Sequence, residues 1–142
     1  MNILDRYQAY ADAFEESYED NDWSRLEQYF TEGAVYDGDP EANGRDAVLA
    51  KLNTGVDGFD RNMDSRTPAF DPPTVDGDTL TMTWKVTYTK AGAPDLVISG
   101  TETAIFEGDR IARLRDDMDP DALKGMNEWM AAHASLLQGS GS

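Results

Sequence analysis

Apolar residues first recur at helical spacing. Ile3, Tyr7, Tyr10, Phe14 and Tyr18 fall on one stripe, and Ala9, Ala11 and Ala13 between them favour helix, so an amphipathic helix ending near Glu19 is predicted. Asn21 or Asp22 is placed to cap a second, short helix whose buried side is Trp23, Leu26 and Phe30, and Gly33 marks its exit. A brief strand over Ala34 to Tyr36 follows. The turn-rich stretch from Asp37 to Gly44 then leads into a third helix with Val48, Leu52 and Val56 on one face.

From Arg61 the period changes from helical to alternating. Turn signals at Asp76-Gly77-Asp78, Ala91-Gly92-Ala93-Pro94 and Gly108-Asp109 divide the chain into an antiparallel meander. Leu80, Met82, Trp84, Val86 and Tyr88 alternate with Thr81, Thr83, Lys85, Thr87 and Thr89, giving one apolar and one threonine-rich face. The next strand, Asp95 to Phe106, carries Leu96, Ile98, Gly100, Glu102, Ala104 and Phe106 on the side that joins the apolar face, which sets Glu102 among hydrophobic residues. A last strand, Arg110 to Met118, turns Ala112, Leu114, Asp116 and Met118 inward if the Gly108 turn carries a one-residue bulge. The other register would bury Arg113 and Arg115 without enough partners. Asp119-Pro120 opens a final helix with Leu123, Met126, Trp129, Met130, His133 and Leu137 on its apolar side. These elements make a single domain over residues 1–138, with Gly139-Ser140-Gly141-Ser142 as a flexible tail.

Charge narrows the partners. The chain of 142 residues has 28 acidic residues against 12 Lys and Arg, a net charge of -16, which opposes nucleic acid and anionic membranes. It has no cysteine, no secretory leader pattern and no run long enough to span a bilayer, so a cytoplasmic protein is expected. Dinucleotide, phosphate-loop, zinc-protease and nucleophile-elbow motifs do not occur. Asp37-Gly38-Asp39-Pro40-Glu41 has Ala42 where a calcium loop requires glycine, and no metal or other cofactor is expected. His133, the lone histidine, reads as a packed helix residue.

The candidate chemistry therefore rests on carboxylates: Asp37 with Asp39 after the first strand, Glu102 within the meander, and Asp116 on the last strand. An acid in apolar surroundings has its charged form destabilised and can exchange protons near neutral pH, which suits proton transfer beside a carbonyl or activation of a water. The bland alternatives are turn residues for Asp37 and Asp39, an arginine partner for Glu102 and a backbone tie for Asp116. Tyr10, Phe14, Met82, Trp84 and Tyr88 would line a pocket for a hydrophobic small molecule, or simply form core.

Several segments carry a family resemblance: Asp22-Trp23-Ser24-Arg25-Leu26, then Phe30-Thr31-Glu32-Gly33-Ala34-Val35-Tyr36, Gly44-Arg45-Asp46-Ala47-Val48, and Gly108-Asp109-Arg110-Ile111 with Leu114-Arg115-Asp116. In this order, over residues 3 to 119, the chain resembles the nuclear transport factor 2-like superfamily, closest in texture to SnoaL-like polyketide cyclases. The resemblance implies an α+β fold in which a curved antiparallel sheet wraps around N-terminal helices, a cone-shaped, cystatin-like roll. Ketosteroid isomerases of the superfamily use an aspartate base after the first strand, and pair a first-helix tyrosine with a protonated acid of the sheet. Asp37 or Asp39 takes the base position, Glu102 the acid position, and Phe14 the tyrosine position. Limonene epoxide hydrolases use an Asp-Arg-Asp set whose last member resembles Asp116, while the other two fall on Met82 and Trp84. The resemblance also implies a homodimer through the outer sheet face. Together these readings point to isomerase-like or cyclase-like acid-base chemistry by Asp37, Glu102 and Asp116. The alternatives are a binding protein without turnover and a dimeric scaffold.

Overall fold

The computed structural model describes residues 2–37, 41–58 and 62–137, with 55–58 and 137 described in backbone only. Asp39 and the tail at 139–142 lie outside the described residues, as do the side chains of Val56 and Leu137.

Helix α1, Ile3–Asp20, starts where the Asn2 side chain accepts from the Asp5 amide at 2.8 Å. It stops at Asn21, whose left-handed backbone (φ 61°) lets its amide reach the Ser17 carbonyl at 2.7 Å. The short helix that follows is a 3₁₀ helix, Trp23–Tyr29. Its three-residue period buries Trp23, Leu26 and Tyr29, so the anticipated face ending at Phe30 is corrected by one residue. Phe30 instead begins strand β1, Phe30–Asp37, ahead of the strand start expected at Ala34.

Strand β2, Ala42–Asn43, leads into helix α2, Arg45–Gly58, which buries Val48 and Leu49. The remaining strands are β3 (Ser65–Phe70), β4 (Thr74–Asp76), β5 (Thr79–Thr89), β6 (Leu96–Glu107) and β7 (Arg110–Met118). The sheet runs β2-β1-β7-β6-β5-β3, and β4 also pairs with β5. Pro72 and Pro73 lie between β3 and β4, and Pro68 within β3 is tolerated because β3 is an edge strand. The meander is antiparallel, while β1 joins β7 in parallel, so the curved sheet is mixed at one edge.

Register follows from alternation. Leu80 pairs with Ala104 and Ala104 with Leu114, and this inward row is fully buried. The bulge anticipated at the Gly108 turn lies slightly farther on: Phe106 pairs with Ile111 but Ile105 with Arg113, which leaves Ala112 as the extra residue. That single insertion allows both Ile111 and Leu114 to face the core while Arg113 and Arg115 face out.

The concave face carries two hydrophobic clusters. One packs Tyr7, Tyr10, Leu26, Phe30, Val48, Leu80 and Leu114 beneath α1, the 3₁₀ helix and α2. The other packs Val86, Tyr88, Leu96 and Ile98 against Trp129 of helix α3, Pro120–Leu137. Trp84 touches both. Leu123, expected on the apolar side of α3, is 46% exposed; Ala122, Met126 and Met130 take the inward positions beside Trp129. Among the described residues no helix is long and apolar enough to cross a membrane.

Candidate functional site

The inward row next to the Leu80 row is Met82, Glu102 and Asp116, directly paired across β5, β6 and β7. Two carboxyl groups therefore stand side by side on the concave face. Each is met by a phenol from another element. Tyr7, one turn below Tyr10 on α1, donates its hydroxyl to Glu102 Oε2. Tyr36, the inward residue of β1 beside Leu114, donates to Asp116 Oδ2 at 2.6 Å.

The electrostatics link the two acids. Burial pushes Glu102 well above the ordinary carboxylate range, the neighbouring charge of Asp116 adds to the rise, and the Tyr7 hydroxyl opposes it. Burial also raises Asp116, but hydrogen bonds from Tyr36 and Glu102 pull it back down. Glu102 and Asp116 therefore titrate as a linked pair, both raised, with burial the first cause for each. Burial and the nearby carboxyl groups hold Tyr7, Tyr10 and Tyr36 in the neutral phenol form. The result is a row from Tyr7 to Glu102 to Asp116 to Tyr36, in which each acid is bonded by one phenol and paired with the other across the sheet.

Asp116 keeps an exposed edge. It borders a cleft of about 450 Å³ together with Asp37, Glu41, Arg113, Arg115 and Asp117. The opening forms where the β1–β7 pairing ends at Asp37 and Arg115 while β7 continues to Met118. Asp116 is thus exposed to solvent, while Glu102 behind it is half-buried.

The expected site residues are distributed unevenly. Glu102 and Asp116 are brought together. Asp37 shares the face of Arg115 and forms an ion pair with Arg113, whereas Tyr36 takes the inward position expected of an acid. The first-helix tyrosine at the sheet acid is Tyr7, two turns before Phe14; this corrects the placement of that role on Phe14. Phe14 packs edge-on against Trp23, with ring centroids 5.5 Å apart. Tyr10 and Met82 are buried in the first cluster and Tyr88 in the second, so among these expected pocket residues only Phe14 and Trp84 keep partial exposure. His133 stacks on Trp129 at 5.4 Å.

Sequence reasoning missed Tyr7 and Tyr36 as partners of the acids. Both signals were present: Tyr7 lies in the helical stripe, and Tyr36 is two residues from the buried Ala34 on a strand.

A curved mixed sheet closed on its concave side by N-terminal helices is the cone fold of the nuclear transport factor 2-like class. Within that class the chain belongs to the SnoaL-like domain family, whose model matches residues 7–114. No curated protein matches it. Solved structures share the fold at low identity. A nuclear transport factor 2-like protein of Exiguobacterium sp. 255-15 is 20% identical with a TM-score of 0.62, covering 84% of this chain and 99% of that one. TsrD of Streptomyces laurentii is 15% identical with a TM-score of 0.66, over 89% and 96% of the two chains. A protein assigned to the SnoaL-like polyketide cyclases, from Shewanella putrefaciens CN-32, is 12% identical with a TM-score of 0.63, over 88% and 85%.

Proposed function

We propose that this protein binds a small carbonyl-bearing molecule at the Asp116 cleft and moves a proton on it, as an isomerase or cyclase without a cofactor. The observation that carries this reading is the pairing of Glu102 with Asp116 across the sheet, each held by a tyrosine. Asp116, at the cleft, is the base that removes a proton from carbon beside the carbonyl. Glu102, bonded by Tyr7, stands behind Asp116 and tunes the proton affinity of the base. The cleft is within the range that holds small ligands. The family membership and the polyketide-cyclase description of a fold relative support the same class of chemistry. Asp37, paired with Arg113, is left as a rim residue that shapes the entrance.

The test is hydrogen–deuterium exchange beside the carbonyl of cyclic ketones and 1,3-diketones, followed by proton NMR in heavy water. The wild-type protein accelerates exchange of at least one member, and Asp116→Asn slows that exchange by about 100-fold. No acceleration over buffer across the panel, or equal rates for the variant, would refute the reading.

We also propose that a second copy packs on the threonine-rich outer face. Thr83 and Thr101 pair at its centre, and Val97 and Ile105 are exposed on it.

A further inference from the structure

The indole of Trp84 has a position that its role as packing does not explain. Its ring lies across β6 at Gly100, so closely that a Cβ there would sit 2.6 Å from Trp84 Cζ2 and 2.4 Å from the Asp117 carbonyl oxygen. Only glycine leaves the room, and the ring of a β5 residue thereby reaches β7. At that point the Trp84 N–H is buried and has no hydrogen-bond partner of normal geometry. Trp23 and Trp129 differ: their indoles donate to Asn21 Oδ1 at 2.9 Å and to the Pro94 carbonyl at 2.8 Å. The group that the Trp84 N–H approaches is the Asp116 carboxylate, whose charge it favours. A buried donor standing beside a carboxylate, short of a closed bond, is poised to complete that bond when the charge is fully developed.

We propose that Trp84 is a positioning residue, donating its indole N–H to Asp116 in the charged state and so fixing the orientation of the base. This rests on the reading of Asp116 as the base. Tyr36 grips one oxygen of the carboxylate from β1, and Trp84 approaches it from β5, so donors on two strands hold the side chain that borders the cleft.

Other titratable groups surround Asp116 and have to be separated from it. Tyr7 and Tyr10 of α1 and Tyr36 of β1 stay protonated. Glu102 of β6 titrates with it, and Asp117 is the next residue on β7. Asp37, Glu41, Arg113 and Arg115 stand around the cleft. In Glu102→Gln the linked partner is gone and Asp116 titrates alone.

The experiment is a pH titration of the Glu102→Gln protein, following the three indole N–H signals and the Asp116 side-chain carboxyl carbon by NMR. The Trp84 signal moves downfield in one step with the midpoint of Asp116, the signals of Trp23 and Trp129 stay in place, and the step vanishes when Asp116→Asn is added. Adding Trp84→Phe raises the Asp116 midpoint by about one pH unit. A Trp84 signal that is flat while Asp116 titrates overturns the proposal, as does an unchanged midpoint in a folded Trp84→Phe protein. If that variant does not fold, the indole titration alone decides. No substrate is used, so failure here leaves the catalytic reading standing, and failure of the exchange assay leaves this result standing.

Discussion

Tyr7 on the first helix donates its hydroxyl to Glu102, 95 residues later on the sixth strand. The bond ties the helix to the middle of the sheet at one of the two paired acids. Tyr7→Phe leaves that acceptor without its donor inside the protein. We expect a loss of about 1–3 kcal/mol in unfolding free energy, measured by denaturant titration. A change within error would mean that water or another group replaces the phenol at no cost.

The buried acids give the stability a definite slope with pH. Both Glu102 and Asp116 have folded values raised above their unfolded ones. Between those values the folded state binds more protons than the unfolded state, so the contribution of these two groups is full below the unfolded value, about pH 4, and is lost as pH rises through the folded values. Glu102→Gln, which keeps the shape and cannot ionise, should flatten that decline. Unfolding curves of the two proteins from pH 5 to 8 test the sign; parallel curves would exclude Glu102 as its source.

The remaining charge is mostly on the surface, where salt screens it. With a net charge of -16, the folded chain repels itself, and raising sodium chloride from 0.05 to about 1 M shortens the Debye length from over 10 Å to about 3 Å. The melting temperature should rise by several degrees. The pH slope from Glu102 should survive in high salt, because a buried group is screened much less. Calorimetric scans at both salt levels separate the two contributions.

Gly100→Ala tests the close approach across the sheet. Its new methyl would meet a backbone oxygen on β7 as well as the Trp84 ring, and the backbone cannot swing aside as a flexible side chain can. A loss of about 1–3 kcal/mol is expected, with a change in the near-ultraviolet circular dichroism of the tryptophans. Wild-type stability in this variant would show that the strands have slack here.

The proposed dimer is addressed on the outer face. Thr83→Glu combined with Thr101→Glu puts like charges directly opposite each other at its centre. Sedimentation should show a monomer for the double variant and a dimer for the wild type; equal assembly would move the interface elsewhere.

Much of this arrangement was legible because alternation is strict in long strands. The pairing of Leu80 with Ala104 and Leu114, and with it the adjacency of Glu102 and Asp116, followed from the apolar pattern and one bulge. The bulge itself was anticipated a few residues early, since a turn glycine marks a reversal but not the residue that the ladder will omit. The 3₁₀ helix was harder: apolar spacings of three and four both occur between Trp23 and Phe30, and only packing selected three. Asp37 falls on the outer side by strand parity, where it pairs with Arg113. Ala34 faces in, so Tyr36 does too and Asp37 cannot. The donor role of Trp84 depends on an orphaned N–H, which is a property of three-dimensional position and leaves no mark in sequence.

The parallel pairing of β1 with β7 also sets a timetable. Tyr36 and Asp116 are separated by 80 residues, so during synthesis the first long strand emerges well before the neighbour that covers it. At roughly 5–20 residues per second the interval is about 4–16 s. Through that wait the β1 edge that will meet β7 lacks its partner, and the acidic residues of the chain oppose its pairing with a second copy.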